Sequence, residues 1–223
     1  MNGKVLEIEN LTVSFDGFKA INGLTFSMDA GELRVVIGPN GAGKTTFLDA
    51  ITGKVQPTEG RVLFKGRNLR GLSEDSISRL GIGRKFQTPR VFLNLTPREN
   101  LELSCNSNKN VFPTLFKPTP VAEKRTVAGL LETIGLVNKA DLSAGLLSHG
   151  EKQWLEIGML VAQSPDLLLV DEPVAGLTDE ETALTGDLLI SLLHQGAVLC
   201  EGTMDEVQND DRVIEVYLGK PEE

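Results

Sequence analysis

Apolar and polar positions alternate in short runs through the first third of the chain, and this period of two predicts strands. Val5-Leu6-Glu7-Ile8-Glu9 alternates, Leu11-Thr12-Val13-Ser14-Phe15 follows, and Leu24-Thr25-Phe26-Ser27-Met28 leads into the turn Asp29-Ala30-Gly31. Leu33-Arg34-Val35-Val36-Ile37 is a further apolar run, and Gly60-Arg61-Val62-Leu63-Phe64-Lys65-Gly66 is expected to be a strand between glycine turns. From about Ser73 the pattern becomes helical. It breaks over Ser104 to Pro120, where three prolines and several Asn and Ser residues mark a surface excursion, and resumes over Ala122 to Ile134 and Glu151 to Ala162. Leu167-Leu168-Leu169-Val170 is continuously apolar, the pattern of a strand buried on both faces of a parallel sheet. Strands and helices in this order predict an α/β fold, with no internal repeat.

Chemistry enters where the apolar run 33–37 ends. Gly38-Pro39-Asn40-Gly41-Ala42-Gly43-Lys44-Thr45 is a complete phosphate-binding loop, followed by helix-compatible Thr46-Phe47-Leu48-Asp49-Ala50-Ile51. The glycines let backbone N–H groups turn toward a polyphosphate at a helix N-terminus. Lys44 reaches the β- and γ-phosphates, and the Thr45 hydroxyl is available to Mg²⁺. A second element sits at the end of the buried strand, Asp171 followed by Glu172. A carboxylate there can hold the Mg²⁺ shell, leaving Glu172 to orient and polarise an attacking water.

Composition narrows the class. A chain of 223 residues, 40% hydrophobic and of mean hydropathy −0.05, has the profile of a globular protein with a real core. No apolar stretch reaches bilayer length and no secretory signal opens the chain. The net charge of −9 disfavours a dedicated nucleic-acid binder, although Arg84, Lys85 and Arg90 are candidates for a local basic patch. Two isolated cysteines, Cys105 and Cys200, fit a reduced, cytoplasmic setting rather than a disulfide framework or a zinc site. Asn138-Lys139-Ala140-Asp141 fits a guanine-reading pattern, but it ends an amphipathic segment instead of following a buried strand and is expected to be a helix-terminal turn.

Ser148-His149-Gly150-Glu151-Lys152-Gln153, preceded by Leu146-Leu147 and opening a helix at Trp154, resembles the Leu-Ser-Gly-Gly-Gln signature of ABC ATPases. The resemblance runs from about Val5 to Gly219. Phe15 looks like the aromatic that stacks on adenine, Gln87 like the Q-loop glutamine, and Ala175-Gly176-Leu177-Thr178-Asp179 like the D-loop. Phe86-Gln87-Thr88-Pro89-Arg90 and the closing Val213 to Gly219 resemble the ATPases of branched-chain amino-acid and amide importers. Leu147 to Gly150 with Gln153 to Leu160 looks most like an ATP-binding subunit of urea transporters.

The resemblance implies a nucleotide-binding core over 1–86 and 163–223, with an N-terminal antiparallel β subdomain, and an inserted helical subdomain over 87–162. It implies ATP and Mg²⁺ as cofactors, held by Phe15, Asn40, Gly41, Gly43, Lys44, Thr45 and Thr46, with Thr45, Gln87 and Asp171 at the metal. Glu172, Gln87 and Lys44 are the implied catalytic residues, and Ser148 and Gly150 complete the site of a facing subunit. Implied partners are membrane permeases, a second ATPase subunit in a homo- or heterodimer and, indirectly, a solute-binding protein, at the cytoplasmic face of the inner membrane and with no nucleic acid. Alternatives from other classes are an inactive, nucleotide-binding regulatory module and a soluble ABC ATPase of DNA maintenance. The latter carries coiled-coil insertions, and no heptad run is present.

Two departures stand out. His149 and Glu151 replace a glycine and a glutamine of the common signature, and Glu151 adds negative charge near a polyphosphate unless Lys152 or another cation offsets it. In addition, Leu188 to Leu192 runs directly into Leu193-His194-Gln195-Gly196-Ala197-Val198-Leu199, where the family has a buried strand ending in a switch histidine, then another helix and strand. His194 precedes a hairpin glycine and is a poor switch candidate. A core lacking a central strand would leave neighbouring backbone groups unpaired, so an omitted segment is expected between Leu192 and Leu193, with flanking Cα atoms well beyond about 3.8 Å; the alternative is a true deletion, with normal peptide geometry there and no switch-dependent hydrolysis.

Overall fold

In the computed structural model, which describes residues 3–85, 90–105, 121–171, 176–192 and 197–202, the N-terminal alternation becomes a long hairpin. Strands β1 (Lys4–Phe15) and β2 (Phe18–Asp29) pair antiparallel and are joined by Asp16 and Gly17 at φ 47° and 89°. Two central residues at positive φ match the twist of the flanking strands. The two strands expected over 5–9 and 11–15 are one strand carrying a register shift, with Asn10 left-handed at φ 48°. β4 (Glu59–Phe64) and β5 (Arg67–Asn68) complete a sheet of order β2-β1-β4-β5. β4 crosses β1 so closely that a Cβ on Gly60 would stand 2.3 Å from the Asn10 carbonyl oxygen.

The second sheet is parallel, in the order β3 (Leu33–Ile37), β8 (Ala197–Gly202), β7 (Leu167–Asp171), β6 (Ile82–Lys85). All five residues of β7 are buried. Leu167 and Leu169 enter a core shared with β1, β4 and helix α1 (Lys44–Ile51), whereas Leu168 and Val170 enter a second core on the opposite face. Each such leucine withdrawn from water contributes about 1.5–3 kcal/mol, which is why the strand is apolar throughout.

β8 corrects an expectation. It pairs in parallel with both β3 and β7, so the slot thought to lack a strand is filled by 197–202, and those neighbours are not left unpaired. The stability argument for an omitted segment therefore loses its premise. Leu193 and His194 lie outside the described residues, as does the junction geometry. β6 is a strand that the apolar pattern does not announce, because two of its four residues are charged.

The second core is chiefly helical. It gathers α3 (Pro97–Cys105), α4 (Val121–Thr133), α5 (His149–Val161) and α6 (Asp179–Leu192) through residues such as Leu101, Leu130, Leu155, Ile157 and Leu188. The short helix α2 (Glu74–Arg79) is capped by Ser73 and leads into β6. Of the expected excursion 104–120, the first two residues finish α3, and 106–120 lie outside the described residues.

Candidate nucleotide-binding site

β3 ends at Ile37 and α1 begins at Lys44, so the loop between them is aimed by the parallel sheet at the first turn of a helix. Gly41 and Gly43 have φ 82° and 89°, a region that favours glycine. Gly43 is required twice over, because a Cβ there would also stand 2.5 Å from the Ala20 carbonyl oxygen. No side chain caps α1, whose N-cap is Gly43. Lys44 is buried and folds back into the loop, donating to the carbonyls of Gly38 at 2.7 Å and Pro39 at 3.3 Å. A cavity of about 320 Å³ beside the loop brings Phe15 together with Asn40, Gly41, Gly43, Lys44, Thr45 and Thr46. Phe18, across the hairpin from Phe15, lines it too and is 69% exposed. The sequence reading missed this second aromatic, although Asp16-Gly17 between two phenylalanines is a strong hairpin signal.

Asp171 ends β7 and is buried. Arg84 of β6 reaches it, with Nη2 3.2 Å from Asp171 Oδ2 and Nη1 2.5 Å from Asp49 Oδ1 on α1. Arg84 and Lys85 are 7% and 0% exposed, so the basic surface patch expected at 84, 85 and 90 does not form. Glu172 and Gln87 lie outside the described residues. Among the described residues no group of three His, Cys, Asp or Glu is placed to hold a metal. A cation here would depend on phosphate oxygens, the Thr45 hydroxyl, Asp171 and water, a donor set that would suit Mg²⁺, which keeps waters and takes few carboxylates.

Ser148 is the N-cap of α5 within a reciprocal capping box: its Oγ accepts from the Glu151 N–H at 3.1 Å and its own N–H donates to Glu151 Oε2 at 2.9 Å. The extra charge of Glu151 is met by Lys139, whose Nζ lies 2.5 Å from Oε1, and not by Lys152, which donates to the Gly145 carbonyl. Burial pushes the Glu151 carboxyl up, but the Lys139 and Ser148 hydrogen bonds and the Lys139 charge outweigh it, and it is held below its ordinary value. The stretch 138–141 is indeed a turn, with a 3₁₀ segment at Val137–Lys139, and its Asp141 pairs with Arg98 at 2.8 Å. His149 is exposed and shares a 2.9 Å hydrogen bond with Gln153 Nε2. A Cβ on Gly150 would stand 2.6 Å from Glu181 Oε1, so the Glu181 side chain must shift to admit one.

Residues 21–175 match the ABC transporter family, and 197–223 match a family described as branched-chain amino acid ATP-binding cassette transporter. The high-affinity branched-chain amino acid transport ATP-binding protein BraF of Pseudomonas aeruginosa is 34% identical, covering 99% of this chain and all of its own length. LivG of Escherichia coli K12, a protein of the same description, is 31% identical over the same shares. The BraF alignment runs over 255 positions against the 223 residues here, so it crosses parts of the relative that have no counterpart in this chain. Among solved structures, an ATP-binding cassette of an ABC transporter gives a TM-score of 0.77 at 30% identity, covering 93% of this chain and 85% of its own. The ADP conformation of such a cassette gives 0.75 at 28%, covering 98% and 100%. The fold is that of an ABC ATP-binding cassette.

Proposed function

We propose, from the premise that this chain belongs to the ABC transporter family of ATP-hydrolysing subunits, that it powers an importer of branched-chain amino acids from the cytoplasmic face of the membrane. The phosphate loop carries this reading: a left-handed Gly43 against Ala20, an α1 N-terminus with no side-chain cap and a lysine buried within the loop are what a bound polyphosphate needs. Phe15 takes the adenine, with Phe18 beside it. Asn40, Gly41, Gly43, Lys44 and Thr46 surround the phosphates. Thr45, Asp171 and Gln87 are the residues that would hold Mg²⁺, which would supply neutralisation of the phosphate charge when bound. Glu172 orients and polarises the attacking water.

Ser148 and Gly150 serve the nucleotide of a facing subunit, so one copy supplies half of two composite sites. In this reading 1–86 and 163–223 form the nucleotide core and 87–162 the helical subdomain. No helix among the described residues is long and apolar enough to cross a membrane, so coupling to permeases requires docking. Phe92 and Leu93 are 56% and 52% exposed, and the Leu93 carbonyl accepts from Ser143 and Gly145, beside the exposed Leu142 and Leu146. Apolar side chains grouped in this way suit a protein partner. Leu95, three residues beyond Phe92, is half-buried.

Branched-chain amino acids are favoured by the names of the relatives that span the chain. Urea or a short amide is the second reading, supported by the form of the signature helix over 147–160. Reconstitution with cognate permeases in vesicles separates them: ATP-dependent leucine uptake is the expected result, urea uptake favours the second reading, and ATP turnover without any coupling to permeases contradicts both. Crosslinks from Phe92 and Leu93 are expected on a permease loop. Crosslinks from the β1–β2 hairpin in their place would move the docking surface.

A further inference from the structure

We propose that Arg84 is a positioning residue for Asp171, tying the carboxylate at the end of β7 to the helix that carries the phosphate loop. The inference rests on the reading of Asp171 as a residue at the magnesium.

Arg84 projects from β6, the strand next to β7, and its side chain is 4% exposed. Its two terminal nitrogens divide between two acids: Nη1 lies 2.5 Å from Asp49 Oδ1 and Nη2 lies 3.2 Å from Asp171 Oδ2, while Nη1 also reaches Thr52 Oγ1 at 3.3 Å. A guanidinium holds its donors in a fixed planar fork, so fixing one arm on Asp49 fixes the direction of the other. An ammonium has one nitrogen and cannot span the same pair in that way.

The helix supplies the second half of the argument. Thr45 and Asp49 are four residues apart on α1 and therefore lie on one face of it. Through Asp49, Arg84 relates Asp171 to the face that presents the Thr45 hydroxyl. With Oδ2 engaged, the Asp171 carboxylate is held against rotation and its other oxygen has a set direction. Lys54, 3.4 Å from Asp49, adds a second positive group at the outer edge, so the two acids of the cluster face two cations. The role is orientation, not contact with nucleotide.

The test compares binding of a fluorescent ATP analogue, with and without Mg²⁺, to the full chain and to Arg84→Lys and Arg84→Met. Removing a residue that orients a metal ligand lowers metal affinity by roughly 10- to 100-fold in general, and that loss of apparent Mg²⁺ affinity is expected here. Binding in excess chelator should be unchanged, because the phosphate loop is intact. Equal weakening with and without Mg²⁺ would mean that Arg84 merely supports the fold, and unchanged Mg²⁺ dependence would also overturn the proposal. Should the Arg84 variants fail to fold, Asp49→Asn keeps the Arg84–Asp171 contact and side-chain shape while loosening the anchor. Reduced Mg²⁺ affinity is expected there, and none overturns the idea. Asp171→Asn separates the two layers. If it leaves Mg²⁺ dependence intact, the reading of Asp171 fails; if it abolishes that dependence while the Arg84 and Asp49 variants do not alter it, only the role of Arg84 fails.

Discussion

At Gly43 a left-handed backbone and a neighbouring carbonyl exclude any side chain, and this is the kind of constraint that a short motif announces. The phosphate loop was legible because all of its requirements are local: turn, amide direction and lysine reach lie within eight residues. Gly43→Ala is expected to cost about 1–3 kcal/mol of local strain and to weaken ATP binding at least tenfold while the cores stay folded, as read by nucleotide titration alongside a thermal melt. Arg84 was misread for the opposite reason. Its partners are 35 and 87 residues away, so nothing near it in sequence marks it as buried. Phe18 was overlooked although its signal was present.

Glu151 yields a prediction with a definite sign. Its folded-state pKa is depressed below 4.5, so its contribution to stability is complete above that pH and is lost as pH falls through the lower folded value. Removing the cation should bring that loss to higher pH. In Lys139→Met the acid side of the melting-temperature profile is expected to shift upward in pH, and superimposable profiles would show that Lys139 does not set the Glu151 charge.

Two helix starts meet beside the signature. Thr178 and Glu181 form the cap of α6, with Glu181 Oε2 accepting from the Thr178 N–H at 3.1 Å, while Oε1 lies 3.4 Å from Ser148 Oγ at the cap of α5. Glu181→Ala removes an α6 cap and is expected to cost about 1 kcal/mol, or about 2–4 °C in melting temperature for a chain this size. Gly150→Ala forces a Cβ into the same carboxylate and should lower ATP turnover more than it lowers stability. Paired melts and turnover assays check both. The helices themselves were readable from their period, with boundaries shifted by a few residues. β6 was not, because its charged residues are satisfied only by tertiary partners.

At the scale of the whole molecule, β8 joins the phosphate-loop strand to the strand that ends in Asp171. No local pattern tells a central strand from the arm of a hairpin, so the slot it fills was invisible in the sequence. Leu199 pairs with Arg34 on one side and Leu169 on the other. Leu199→Pro removes a ladder donor from a strand paired on both sides, with an expected cost of about 3 kcal/mol or more, and should leave little folded protein, whereas Leu199→Val should fold. Circular dichroism melts of the two variants distinguish them. The central claim is that this fold brings a phosphate loop and an acidic strand end into one ATP-hydrolysing site. Titration of nucleotide, with turnover measured in parallel, on the wild type, Lys44→Ala and Glu172→Gln tests it most directly. Lys44→Ala is expected to lose tight ATP binding, and Glu172→Gln to bind as the wild type does without hydrolysing. Equal loss of binding in both variants, or undiminished turnover in either, would contradict the account.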